Sequence, residues 1–348
     1  MTNILALLFA ALTAFIPISG MAMHAYNVAN EHIRILHTPP RLQWNENSGY
    51  CGEVALISAG LYFGQYISQY DARAIACQGN DQKSCQLLLG LNAHAAAAKM
   101  HLESHEWASF QNESTDDFLS WIKENVIHGC PVAIGIYMNQ YRFYHNSHPN
   151  AGDPSYDHIV LVTGIGSNLP FTNTSYDGDD ILYFTDNGLW GDPCNPHYKF
   201  SYNFDAFQAT RQQANTKHGP VYSLPLEGHN YGIAIRGVLD LNNETVRVRL
   251  ETNPNSEHPD IQNGSNARPA PTPLKLTLTM TDLEPGVAYN LYRYNSFDAV
   301  PNSNFNAHAK QASAHWQVQI ESGSTYVMTL NISSDEMAIF RAVKASGP

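Results

Sequence analysis

Basic residues are scarce in this sequence and nowhere gathered into a cluster: 19 Lys and Arg stand against 31 Asp and Glu, a formal net charge of −12. A phosphate backbone is held by convergent positive charge, so nucleic acid is excluded as an expected partner and an anionic membrane surface is disfavoured. After residue 18 no apolar run is long enough to cross a bilayer, so no membrane insertion is expected once the amino-terminal segment is removed. Metal motifs are lacking as well. His101 and His105 stand four apart, but no glutamate directly follows the first histidine as the zinc-peptidase pattern requires, and the pair reads as an exposed helix end. Asp177-Gly178-Asp179-Asp180 is too short for an EF-hand loop and reads as a hairpin turn. Gly164-Ile165-Gly166 follows a strand pattern, yet no helix pattern follows it, so no nucleotide site is expected. Any chemistry is therefore expected to run without metal or organic cofactor.

What is present begins with residues 4–18, an apolar segment of signal-peptide length followed by the small residues Ser19, Gly20 and Ala22. Residues 1–22 are read as a secretory signal, although Met1-Thr2-Asn3 carries only the terminal amine as positive charge. An exported chain can hold disulfides, and five cysteines suit two bridges and one free thiol. Cys77 and Cys85 bracket a polar loop and are expected to pair, with Cys130 and Cys194 as the second bridge. Cys51 is then left over.

At 348 residues the chain is long enough for two domains. Helical patterns precede most strand patterns over residues 23–230, which predicts an α+β domain with helices packed on an antiparallel sheet. Its expected elements are an apolar helix from Cys51 to about Gln65 or Ser68, the Ala-rich run from Ala93 to Met100, a helix from Asp116 to Asn125 capped by Thr115 or Asp116, and strands at 132–137, 159–164 and 181–185. Over residues 231–348 short strand patterns alternate with turns, at 233–239, 245–252, 274–280, 288–294, 316–320, 325–331 and 337–343. Seven strands predict a β-sandwich. Leu283-Glu284-Pro285-Gly286-Val287-Ala288-Tyr289 has the spacing of a tyrosine corner, and with Asn290-Leu291-Tyr292 it resembles a fibronectin type III or immunoglobulin-like module. A sandwich of another topology fits the pattern equally well.

The residues that point to a reaction start with Cys51, between Gly49-Tyr50 and Gly52-Glu53 at the head of the apolar stretch. Unpaired N–H groups and the positive end of the dipole at a helix start favour a thiolate over a thiol. Among 16 histidines, His158 is distinctive because it directly precedes the apolar strand Ile159 to Thr163, which places an ionisable ring at the rim of a buried sheet. Asp186 and Asn187 close the strand Ile181 to Thr185, and only one of them can face the imidazole if both keep strand geometry. Nucleophile, imidazole and orienting group then follow one another in chain order.

Four blocks extend this into a family likeness: Gly49-Tyr50-Cys51-Gly52-Glu53-Val54-Ala55-Leu56, Gly129-Cys130-Pro131-Val132-Ala133-Ile134-Gly135-Ile136, Asp157-His158-Ile159-Val160-Leu161-Val162-Thr163-Gly164 and Tyr183-Phe184-Thr185-Asp186. In this order they resemble papain-like cysteine peptidases of the bacteriocin-leader-processing type, over roughly residues 40–190. The resemblance implies Cys51 as nucleophile, His158 as general base and acid, and Asp186 as orienter. Asn187-Gly188-Leu189-Trp190-Gly191 resembles papain's Asn-Ser-Trp-Gly with one residue inserted, which keeps Asn187 as an alternative orienter. The family places an oxyanion-binding glutamine six residues before the cysteine; that position is Asn45 here, with Gln43 two residues earlier, and either amide carries the required donor. A secreted peptidase or thiol amidohydrolase acting on a peptide or protein is the expectation, with the C-terminal part binding substrate, a glycan or a cell surface. Transglutaminase-like acyl transfer and a catalytically inactive binding protein are the alternatives.

Overall fold

A helix that is apolar all round must be enclosed on every side, and the helix starting at Cys51 is: each of its residues after Cys51 is buried. A computed structural model describes residues 30–44, 46–79, 81–107, 114–138, 156–186, 191–192, 195–196, 198–208, 222–225, 227–253 and 264–345. The expected signal at 1–22, together with Asn45, Asn187 and Cys194, lies outside the described residues. In chain order the elements are β1 (His32–Ile35), α1 (Cys51–Tyr62), β2 (Gln65–Tyr66), α2 (Gln69–Ala76), α3 (Ala93–Lys99), β3 (Leu102–Glu106), α4 (Thr115–Ile127) and β4 (Val132–Met138). There follow β5 (His158–Ser167), β6 (Ile181–Thr185), β7 (Gly191–Asp192), β8 (Asn195–Pro196), β9 (Lys199–Asn203), α5 (Phe204–Phe207), β10 (Tyr222–Ser223) and β11 (Gly232–Val238). The last strands are β12 (Thr245–Val246), β13 (Val248–Glu251), β14 (Pro273–Met280), β15 (Ala288–Tyr294), β16 (Ala314–Gln319), β17 (Tyr326–Ser333) and β18 (Ala338–Lys344).

The fold is a mixture of helices and antiparallel sheets. The first sheet runs β3-β11-β4-β5-β6-β9, with β1 beside β5 and β10 beside β4. Its strand β5 is buried along its whole length because both faces are covered. Ile159 and Leu161 pack in the core that contains Ala55, Leu56 and Ile57 of α1, whereas Val160 and Val162 pack with Phe118, Leu119 and Ile122 of α4. Alternating side chains thus explain why an uninterrupted apolar run reads as a strand here. The sheet stands between two helices, and its β5 start and β6 end meet the α1 start.

Several expectations shift. Helix α1 stops at Tyr62, short of Gln65, because Gly64 adopts φ +76° and turns the chain into β2. Helix α4 is capped by Ser114, which forms a reciprocal capping box with Asp117, and not by Thr115 or Asp116. His105 sits on strand β3 and His101 in the turn before it, so the pair is not a helix end. Cys77 and Cys85 are bridged, but Cys130 carries a free, buried thiol, which corrects the expected bond to Cys194. The most consequential shift concerns residues 232–238, expected to open the C-terminal sandwich. That strand, β11, lies between β3 and β4 in the first sheet. Gly232 makes this fit, since a Cβ there would come within 2.9 Å of the Trp121 ring and 3.0 Å of the Phe118 ring. The boundary between the two parts therefore moves from 231 to about residue 240.

Beyond it, β12-β18-β15-β16 form one sheet and β13-β14-β17 another, and the expected run at 245–252 is divided between them. Leu274, Leu276, Leu278 and Met280 of β14 share a core with Tyr289, Leu291, Phe340 and Ala342 of the facing strands. The Tyr289 hydroxyl accepts from the Glu284 backbone N–H at 2.9 Å, the tie that its spacing predicts. The C-terminal part is joined to the first by more than chain continuity. Strand β2 pairs with β18, and Val248 and Leu250 pack in the same core as Ile57 and Leu61 of α1.

Candidate active site

The approach to Cys51 is a chain of residues that prefer other conformations. Asn47, Ser48 and Gly49 have φ of 49°, 65° and 86°, all left-handed, and only the glycine adopts this freely. A fully buried guanidinium holds them. Arg73 donates to Asn47 O at 3.0 Å, to Gln82 O at 2.8 Å and to Gly49 O, and its Nε pairs with Glu53 Oε1 at 2.8 Å. Its plane lies 3.6 Å from the centre of the Tyr50 ring. Glu53 Oε1 also accepts from Leu87 N at 3.0 Å, so the first turn of α1 is tied both to α2 and to the segment after the disulfide. Gly52 admits no side chain, because a Cβ would stand 2.2 Å from Leu87 O. Cys51 is thereby fixed as the first helical residue, where backbone N–H groups have no partner within the helix.

Against this thiol the sheet brings an imidazole. His158, the first residue of β5, lies close enough to Cys51 for the two side chains to interact, and its Nε2 meets Asp186 Oδ1 at 2.6 Å. Asp186 follows the last residue of β6, its N–H donating to Tyr198 O at 2.8 Å, and its other oxygen, Oδ2, accepts from the Tyr222 hydroxyl. The His158 and Asp186 side chains are 5 % and 0 % exposed, and water does little to screen the contact. Burial by itself would lower the His158 pKa. The Asp186 carboxylate, through charge and hydrogen bond, and then Cys51 outweigh it, so the imidazole titrates well above the usual histidine value. Such an arrangement can keep the ring charged beside a thiolate.

Aromatic rings bound the site on the other side. Tyr156, close enough to Cys51 to feel its charge, donates to Leu89 O at 2.9 Å and packs edge-on against Tyr231. Gly135 leaves room for that ring, since a Cβ would lie 2.5 Å from it, and Gly90 does the same for Tyr231 at 2.6 Å. The inner side of Cys51 is closed by Val54, Ala55, Ile159, Leu161 and the fully buried Arg41.

Cys51, His158 and Asp186 are thus brought together as expected. Gln43 is buried with its Nε2 2.7 Å from where a Cβ on Gly49 would be, so its amide lies against the backbone two residues before Cys51. Asn45 and Asn187 lie outside the described residues. Sequence reasoning missed Tyr222, Arg73 and Gln82. It also passed over Glu53, although a carboxylate inside an otherwise apolar helix signals a buried partner. Among the described residues no group of His, Cys, Asp and Glu is arranged to hold a metal ion. No protein-family model, no curated protein and no solved structure matches the chain.

Proposed function

We propose that this chain is a cysteine peptidase or related thiol amidohydrolase of papain-like type, cutting peptide or amide bonds through an acyl-thioester on Cys51. The observation that carries the reading is the meeting of Cys51, at the start of a buried helix, with an imidazole close enough to feel its charge and hydrogen-bonded in turn to the buried Asp186 carboxylate. His158 takes the thiol proton, and the thiolate attacks the carbonyl carbon of the scissile bond. The tetrahedral oxyanion is met by the Cys51 N–H and by a side-chain amide, for which Gln43, lying against Gly49, is the candidate among the described residues. The imidazolium gives its proton to the leaving nitrogen as the C–N bond breaks. Water then attacks the thioester, giving a proton to His158, and Cys51 leaves as thiolate with the acid as product. Asp186 holds the imidazole in place throughout.

Residues 1–22 as an export signal agree with the Cys77–Cys85 bridge, which persists in oxidising compartments. No helix among the described residues is long and apolar enough to cross a membrane. The two C-terminal sheets, read as a sandwich with a tyrosine corner, are proposed to engage substrate, glycan or surface.

The test uses iodoacetamide on the folded protein, followed by mass spectrometry. Cys51 is expected to alkylate rapidly at neutral pH and to lose this reactivity in His158→Ala. Cys130 supplies an internal control, because burial raises its pKa and keeps it a thiol. Absence of Cys51 labelling across pH 5 to 8 refutes the catalytic reading. For a labelled protein, product analysis on a peptide pool with an added primary amine separates hydrolysis from acyl transfer.

A further inference from the structure

Tyr222 is fully buried on the short strand β10, far in sequence from Cys51, His158 and Asp186. Its position is fixed from both sides. Strand β10 pairs with the end of β4, Ser223 opposite Tyr137, and the next residue, Leu224, donates its N–H to Phe207 O at 2.8 Å. The ring is boxed by Phe184 and Phe200, edge-on at 5.3 Å and 5.0 Å, with Tyr202 at 6.4 Å. A phenylalanine would fill this box equally well, so packing does not account for the hydroxyl. The hydroxyl points out of the aromatic cluster to Asp186 Oδ2, the oxygen turned away from His158.

The two oxygens of Asp186 thus have distinct partners, an imidazole nitrogen on Oδ1 and a phenol on Oδ2. Without the phenol, Oδ2 would lose a hydrogen bond inside a fully buried carboxylate, and the carboxyl would be held less firmly. Burial first, and then the Asp186 charge, raise the Tyr222 pKa, so the phenol stays protonated and donates at any working pH. We propose that Tyr222 is a positioning residue of the reaction, locking the Asp186 carboxylate so that Oδ1 faces His158 and the imidazole faces Cys51. The proposal rests on the thiol-hydrolase reading of that site and adds to it a fourth member, one that acts through Asp186.

Tyr222→Phe tests it with iodoacetamide as the probe, because alkylation of Cys51 reports how well the imidazolium holds the thiolate. At pH 6 the rate is expected to fall about tenfold, the size of one charge-assisted hydrogen bond expressed in rate. The pH at which alkylation sets in is expected to rise, since a carboxylate held less firmly supports the imidazolium less. Thermal unfolding monitored alongside confirms that the variant folds. In an Asp186→Asn background the same change is expected to have no further effect, because its route passes through Asp186. A Tyr222→Phe protein with wild-type rate and onset overturns the proposal, as does an onset moved to lower pH, or additive effects of the two substitutions. Failure of wild-type Cys51 to alkylate would overturn the peptidase reading itself, whereas a reactive wild type beside an unaltered Tyr222→Phe removes only the role of Tyr222.

Discussion

Replacing Arg73 with methionine keeps an unbranched apolar stem while removing the guanidinium that holds the Cys51 approach. Four hydrogen bonds disappear, to Glu53, Asn47, Gln82 and Gly49, together with the contact on Tyr50. Glu53, 1 % exposed, is left as a carboxylate with its cation gone, and removing one member of a buried pair costs about 3–5 kcal/mol. With an unfolding entropy of roughly 0.7 kcal/mol/K for a chain of this size, Tm is expected to fall by about 4–7 °C. Burial already pushes the Glu53 carboxyl up despite Arg73, so in the variant it binds a proton more tightly when folded than when unfolded. Folding then takes up a proton, and the loss of Tm is expected to grow as pH rises above the ordinary glutamate value. Cys51 reactivity should fall as well, by about ten- to a hundredfold, because three left-handed residues relax and displace the helix start. Adding Glu53→Leu removes the stranded charge. Tm is expected to recover while alkylation by iodoacetamide stays slow, since no group replaces the bonds to Asn47 and Gly49. An Arg73→Met protein with wild-type Tm and wild-type labelling would refute the reasoning.

Three further outcomes follow from the same geometry. Gly52→Ala should destabilise by about 1–3 kcal/mol in thermal unfolding and slow Cys51 alkylation, because the new methyl meets backbone at Leu87 O, whereas Gly79→Ala, with nothing closer than 4.0 Å, should be neutral. The raised His158 pKa means that its pairing with Asp186 contributes fully below the unfolded histidine value of about 6.5 and is lost as pH rises through the folded value. His158→Gln should accordingly lower Tm most in acid and least in alkali. Gln43→Leu should cut cleavage of a peptide pool by about 10²–10³-fold, the usual effect of one oxyanion donor, while alkylation of Cys51, which forms no oxyanion, changes little.

How far the site was legible depends on the range of the interactions that build it. Cys51 declared itself through neighbours on the chain, two glycines and an apolar helix. His158 and Asp186 did so because each borders an apolar strand, and a sheet gathers strand ends along one rim. Arg73 and Tyr222 carry no such local mark. One is an ordinary residue of α2 and the other lies in a two-residue strand, and each acquires its role only when a distant backbone arrives beside it. The same limit explains β11. Its β-rich run between turn signals identified a strand, but which sheet accepts a strand is decided by Gly232 against two aromatic rings and by register with β3 and β4. Cys130 shows a different failure, in which even-number pairing was imposed on a thiol that burial keeps apart.

The two parts of the chain also meet at the site itself, which changes what the C-terminal sheets are for. Ser265 O accepts from Asn47 Nδ2 at 3.2 Å, Asn266 Oδ1 from Gln82 N at 3.0 Å and Asn266 O from the Tyr70 hydroxyl at 2.9 Å. Arg268 clamps Asp71 with both of its terminal nitrogens and lies over the Tyr70 ring. Asn47 and Gln82 are the residues whose carbonyls Arg73 grips, so a segment between β13 and β14 reinforces the loop that presents Cys51. On the far side, Arg341 of β18 reaches Gln65 Oε1, next to the end of α1. The helix carrying Cys51 is thus held at its start by an arm of the C-terminal part and near its end by one of its strands. A substrate-binding module hung on a flexible linker would make neither contact. The geometry instead makes the C-terminal part a structural component of the proposed catalytic site, with any recognition role built on top of that.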